Sequence, residues 1–252
     1  MDVELNHAPQ SGCGVMQSEV PLPGYLDTHE DDEVGKMATI YFLACISMRR
    51  LMNRAHTLTG LDEVLTEKGV NKRLVAELDY QLERWRDVLP LYLKFSLGTE
   101  EAENVHQGHL RQRFYACKSV IFRPFFNYVI LHDMEGTLVD FSVVEEAVKC
   151  IWASYLHMAN LRGFIHGVIT DAWICALAME GCMIILLMAE RSSLLSPFLK
   201  SELAIPIVCE KAIGTEIMLT KWMDNAPEQS PTLRQSIELM RQIRVALIPN
   251  GM

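Results

Sequence analysis

The sequence predicts an all-α protein: one domain of about seven helices, residues 36–248, behind a flexible acidic lead-in, residues 1–35. Three observations carry this. Apolar residues recur at helical spacing almost everywhere after Lys36, no stretch alternates with period two for long enough to argue a sheet, and no internal boundary separates two cores. Half of the 252 residues are hydrophobic and 22% are charged, which excludes a chain disordered over most of its length.

The lead-in contains eight acids, no Lys or Arg, Pro9, Pro21, Pro23 and the run Glu30-Asp31-Asp32-Glu33, a composition that resists packing. It carries most of the net charge of −9, leaving 24 acids against 23 bases in the body. A near-neutral body has no basic field to gather nucleic acid or anionic lipid, so direct DNA binding is not expected.

The first helix is placed at 37–58. Tyr41, Phe42, Cys45 and Met48 lie opposite Ile40, Leu43, Ala44 and Leu51, so it is expected to be buried all round. The second carries Leu74, Leu78, Leu82, Trp85 and Leu89 on one face and stops at Pro90. After a polar linker at 95–107 comes a helix at 108–131 with Arg123-Pro124 inside it. There the missing amide and the ring predict a kink, which either turns Arg123 toward a pocket or only shapes packing.

The fourth helix is expected to begin at Ser142 in a reciprocal cap with Glu145 and to continue through Val148, Ile151, Tyr155 and Met158. Ala172–Ala189 is an apolar run with Glu180 as its sole charge; a centrally buried helix explains it better than a membrane span. A linker at 192–203, a helix at 204–224 and a last helix from Ser230-Pro231 to before Pro249 complete the body.

Three segments resemble, in order and spacing, the C-terminal half of the regulatory region of fungal zinc binuclear cluster transcription factors: Tyr41–His56 (YFLACISMRRLMNRAH), Leu78–Pro90 (LDYQLERWRDVLP) and Leu110–Ile130 (LRQRFYACKSVIFRPFFNYVI). Cys150–Ala153, the long apolar helix and Ser230–Ile243 agree more loosely, so the similarity covers roughly residues 36–245. The resemblance implies a helical domain, the middle homology region, that responds to effectors or partners in the control of transcription. Such factors grip DNA through six closely spaced Cys holding two zinc ions. The N-terminal segment here offers only Cys13, and one thiolate cannot hold zinc tetrahedrally. The chain therefore looks like the distal half of a regulator, acting as a homo- or hetero-oligomer with a fuller protein or by binding a small hydrophobic effector, in nucleus or cytoplasm.

Candidate site residues are Glu180, Arg123, Arg162 and His157. A carboxylate within an apolar helix is costly unless a cation or donor meets it, so Glu180 anchors an effector, acts as a general base, or pairs with Arg123 or Arg162. His157 and His166 flank Arg162 and suit either acid–base work or helix-end pairing. His106 and His109 beside Glu101 and Glu103 invite a metal reading, but no third ligand at binding spacing is apparent. The seven Cys read as reduced core thiols.

No phosphate loop, nucleophile elbow or cofactor motif is present, so neither a cofactor nor a metal is expected. The rival to a regulatory domain is an enzyme acting on a hydrophobic metabolite inside the same scaffold. A closed, roomy cavity lined by Glu180, Arg123 or His157 favours the enzyme; a solid core with paired charges favours the regulator.

Overall fold

The chain is organised around one long helix, α3 (Val105–Glu135). Asn104 starts it, its side chain accepting from the Gln107 amide at 2.9 Å. Gly136 ends it: at φ 67° it takes the left-handed turn that disfavours other residues, with Gly136 N donating to Asp133 O and Thr137 N to His132 O. Phe114, Phe122, Phe125, Phe126 and Ile121 are all buried, so α3 is surrounded rather than laid on a surface. It runs continuously through Pro124.

The computed structural model describes residues 33–59, 65–66, 69–160, 172–202, 206, 208–210, 212–214, 216–217, 220 and 231–247. Among these the protein is all-α. Around α3 stand α1 (Glu33–Thr59), α2 (Lys72–Asp87), α4 (Phe141–Ala159), α5 (Ala172–Arg191), α6 (Ser196–Glu202) and α7 (Pro231–Leu247). A two-residue antiparallel ladder, β1 (Leu65–Thr66) with β2 (Gly69–Val70), is the only pairing among the described residues. One hydrophobic cluster runs from Ala44 of α1 to Ile243 of α7.

α1 and α3 run the same way, since Tyr41 Oη meets His109 Nδ1 at 2.7 Å while Met52 and His56 lie level with Val120 and Arg123. α4 runs against α3: Ser119 bonds Ser154 at 2.9 Å, and His157 reaches back to Gln112. α2 packs on both α1 and α3: Trp85 Nε1 donates to Ser47 Oγ at 3.0 Å, Arg54 to Gln81 Oε1 at 2.7 Å and Lys118 Nζ to Glu83 Oε1 at 2.6 Å. The C-terminal end of α5 is clamped to that of α3, because Asp133 accepts from Ser192 Oγ at 2.6 Å and from Ser193 N at 2.8 Å. Burial alone would raise the Asp133 carboxyl, but the bonds from Ser192 and Ser193 outweigh it and hold the group below its ordinary range. α7 packs on α5.

Several expectations need correction. The helix described as α1 begins at Glu33, so Glu33–Gly35 are helical; Lys36 pairs with Glu33 at 3.3 Å across that turn, and the Thr39 hydroxyl donates to Gly35 O. The rest of the lead-in, residues 1–32, lies outside the described residues. α1 is not buried all round: Ala44, Met48, Leu51, Met52 and Ala55 form one buried stripe, while Phe42 is 56% exposed.

The α4 cap is Asp140, not Ser142. The carboxylate accepts from Ser142 N at 2.7 Å, and Ser142 Oγ accepts instead from Lys72 Nζ at 2.9 Å. α6 forms inside the expected linker, where Ser192 Oγ accepts from Leu195 N and Pro197 sits in the first turn.

Candidate functional site

Where α1, α3, α4 and α5 meet, the packing leaves a partly open cavity of about 270 Å³. One wall is a stripe of α3: His109, Gln112, Arg113, Ala116, Ser119, Val120 and Arg123 recur three or four residues apart and so share a face. α1 adds Met52 and His56, α4 adds His157, and α5 closes the far side with Leu177, Ala178, Glu180, Gly181, Cys182 and Ile184.

Small residues make the room. A methyl added at Gly181 would meet nothing within 4 Å, so this backbone borders empty space. Ala116 and Ala178 leave gaps where a Leu would fill them.

The polar groups at the two ends differ. At one end His157 Nδ1 lies 3.1 Å from the Gln112 carbonyl oxygen, and only a protonated Nδ1 makes that contact a hydrogen bond. The neutral ring then presents Nε2 as a bare acceptor. That nitrogen and Gln112 Nε2 are both buried without a partner, on side chains of residues only 3% exposed. At the other end, buried Arg123 Nε is likewise unpartnered. Three buried side-chain atoms without a hydrogen-bond partner among the described residues thus belong to this one cavity.

Charge follows the same division. Burial, assisted by the Arg113 charge, pushes His157 down to about 4 against the raising effect of its Gln112 bond. Burial pushes His56 down to about 4 as well, with Arg123 and Arg49 adding repulsion. Both rings are neutral at pH 7, and Arg113, Arg123 and Glu180 also line the wall.

Of the expected site residues, Glu180, Arg123 and His157 are brought together on this cavity. Arg162 and its neighbour His166 lie outside the described residues. Glu180 is half-buried, not enclosed, and it forms no ion pair with Arg123 among the described residues. Arg123 faces the cavity, the first of the two outcomes expected at Arg123-Pro124.

Gln112, Arg113, His109 and His56 were not foreseen as parts of this site. The signal that would have found the first three is the recurrence of polar residues at 109, 112, 113 and 123, which fall on one face of the helix. His106 and His109 both meet Tyr41: its ring lies tilted against that of His106 with centroids 4.3 Å apart, and its hydroxyl is 2.7 Å from His109 Nδ1. No group of three potential metal ligands is found among the described residues.

The arrangement suits recognition better than covalent chemistry. Ser119 Oγ is tied to Ser154 at 2.9 Å and lies 3.7 Å from Cys150 Sγ, with no activating base. Burial pushes the Cys150 thiol up to about 11 and that of Cys117 to about 12, so neither is a thiolate near neutral pH. A histidine held near 4 is a weak proton acceptor but a sound hydrogen-bond acceptor. Among the described residues, no helix is long and apolar enough to cross a membrane. No protein-family model, no curated protein and no solved structure significantly matches the chain.

Proposed function

We propose that the chain is a helical, transcription-regulator-like domain that works by binding a small organic effector in the α1–α3–α4–α5 cavity. The observation that carries this is the set of buried, unpartnered atoms on its wall: Gln112 Nε2, His157 Nε2 and Arg123 Nε. A buried polar atom without a partner costs roughly 1–3 kcal/mol, a cost removed when a ligand supplies the missing bond. The cavity, at 270 Å³, is nearly twice the roughly 150 Å³ that accommodates benzene in an engineered core. The resemblance of Tyr41–His56, Leu78–Pro90 and Leu110–Ile130 to fungal zinc-cluster regulators supplies the regulatory half of the reading.

The same cavity supports a second reading, an enzyme acting on a hydrophobic metabolite, since three of the expected polar residues face it. The weakly basic His157 and the high-pKa thiols favour binding over turnover.

The test joins the full chain to an unrelated DNA-binding module upstream of a reporter in fungal cells. Reporter output is expected to change on tethering, and the change is expected to be altered by Gly181→Leu, whose side chain would enter the cavity from α5. An unchanged reporter, or purified chain that converts a metabolite from the same cells, would sink the regulatory reading.

A further inference from the structure

The cavity has a direction. Gln112 and Arg123 are eleven residues apart on one helix, which separates their backbones by about 16 Å at 1.5 Å per residue. A volume of 270 Å³ that touches residues this far apart along the helix suits an elongated ligand better than a globular one. Its lining between the ends is mostly apolar, with Ala116 and Val120 on α3, Met52 on α1 and Leu177 and Ile184 on α5, while Arg113, Ser119 and Glu180 add polar groups.

Each end fits a different chemical group. At the Gln112 end, where Arg113 also lines the wall, the Gln112 amide N–H lacks an acceptor and the His157 Nε2 lone pair lacks a donor. A hydroxyl answers both at once, its oxygen accepting from Gln112 and its hydrogen donating to His157. At the other end Arg123 carries a permanent charge, and Glu180, the one acid among the lining residues, does not pair with it among the described residues. An organic anion there would meet a guanidinium whose charge is not already neutralised in place.

Resting on the effector-site reading, we propose that the ligand is a slender hydroxy acid. Its hydroxyl lies between Gln112 and His157, its apolar body along Ala116 and Leu177, and its carboxylate on Arg123.

Four ten-carbon probes separate the terms: 10-hydroxydecanoate, decanoate, 1,10-decanediol and decanol, each titrated calorimetrically into the full chain. The expected order puts 10-hydroxydecanoate first, by roughly tenfold or more over decanoate and over the diol, as matched hydrogen bonds to charged and buried groups require. In Arg123→Gln the acid should lose its advantage over the diol. In Gln112→Leu, or in the closer isostere Gln112→Met if the first melts below the assay temperature, 10-hydroxydecanoate should lose its advantage over decanoate.

Equal binding of all four probes would overturn the hydroxy-acid class and leave a purely apolar effector site. Failure of all four at millimolar concentration would overturn the class too, leaving ordered water as the partner of these atoms. In that event the tethered reporter decides the broader reading: if it still responds to Gly181→Leu an effector site stands, and if it does not, both fall.

Discussion

Lys118 and Arg123 are two cations on the same helix, five residues and therefore about 140° apart, and the protein treats them in opposite ways. Lys118 looks toward α2, where Glu83 Oε1 meets its ammonium at 2.6 Å and Asp79 Oδ1 at 3.3 Å, while the Phe114 ring lies 5.4 Å below. The Asp79 contact is purely Coulombic, because that oxygen lacks hydrogen-bond geometry. Arg123 looks toward α1 and α5, where it repels His56 and leaves Nε unpartnered. A half-buried charge that has been met belongs to the structure. One left unmet, beside a cavity, keeps its interaction energy for a ligand.

The largest effect that should distinguish the two sides is acid sensitivity, which belongs to the cavity. His56 and His157 are held at about 4 against an ordinary 6.5. Between those values the unfolded chain binds protons that the folded chain refuses. Their contribution is therefore fully present above pH 6.5 and is lost as pH falls toward 4, by about 3 kcal/mol for each ring. Urea melts at pH 7.5 and 4.5 should show this, and His157→Gln should remove about half of the difference. A stability that is flat over this range would mean that the rings are not enclosed as described.

Next in size is the paired side. Lys118→Met leaves half-buried Asp79 without its cation and Glu83 with only the 3.6 Å contact to Arg86, and should destabilise the chain by about 1–2 kcal/mol. The second substitution Glu83→Gln in the same background should recover part of that loss, since it removes one of the two neighbouring negative charges. If Lys118→Met melts like the wild type, the contrast with Arg123 loses its structural half.

How much of this contrast the sequence carried depends on the kind of pattern each side uses. The α2 side was legible: the stripe Leu74, Leu78, Leu82, Trp85 and Leu89 is a plain amphipathic repeat, and Leu78, Leu82 and Leu89 are buried as it requires. The cavity side was half legible. Glu180 stood out as a charge in an apolar helix, Arg123 by its Pro124 neighbour and His157 by its place beside Arg162, and all three line the cavity. Gln112 and Arg113 did not, because α3 carries polar residues on more than one face, Arg111 and Lys118 among them, so the cavity stripe does not stand out in a one-sided reading of amphipathicity. The α4 cap was misread for a local reason: Ser142 and Glu145 satisfy the spacing of a reciprocal cap, but Asp140 presents a charged acceptor first, and Lys72 takes the serine hydroxyl. Nothing in a single sequence says which of two competent caps the chain selects.

A smaller effect comes from filling the cavity. Gly181 lies within α5 and a Cβ there enters open space, so Gly181→Ala removes the backbone freedom of glycine in a helix without a clash. The gain should be about 0.5–1 kcal/mol, read as a higher urea midpoint with an unchanged slope. Gly181→Leu should gain no less stability while abolishing probe binding. A loss of stability in Gly181→Ala would indicate that α5 sits closer to α3 than the cavity allows.

The smallest expected change is the most informative. Arg123→Met keeps the length of the side chain and removes its charge, and because no carboxylate is paired with it among the described residues, none is stranded by the change. Stability should therefore shift by less than about 0.5 kcal/mol or rise slightly, as the buried, unpartnered Nε disappears. The repulsion on His56 disappears with it, so its pKa should rise toward the ordinary 6.5 and the stability lost to that ring on acidification should shrink. Two cations on one helix would then have been separated by experiment, with Lys118 costing stability when removed and Arg123 costing only binding. A large destabilisation in Arg123→Met would show instead that this guanidinium is held by the fold, and the cavity would lose the charge on which its choice of ligand depends.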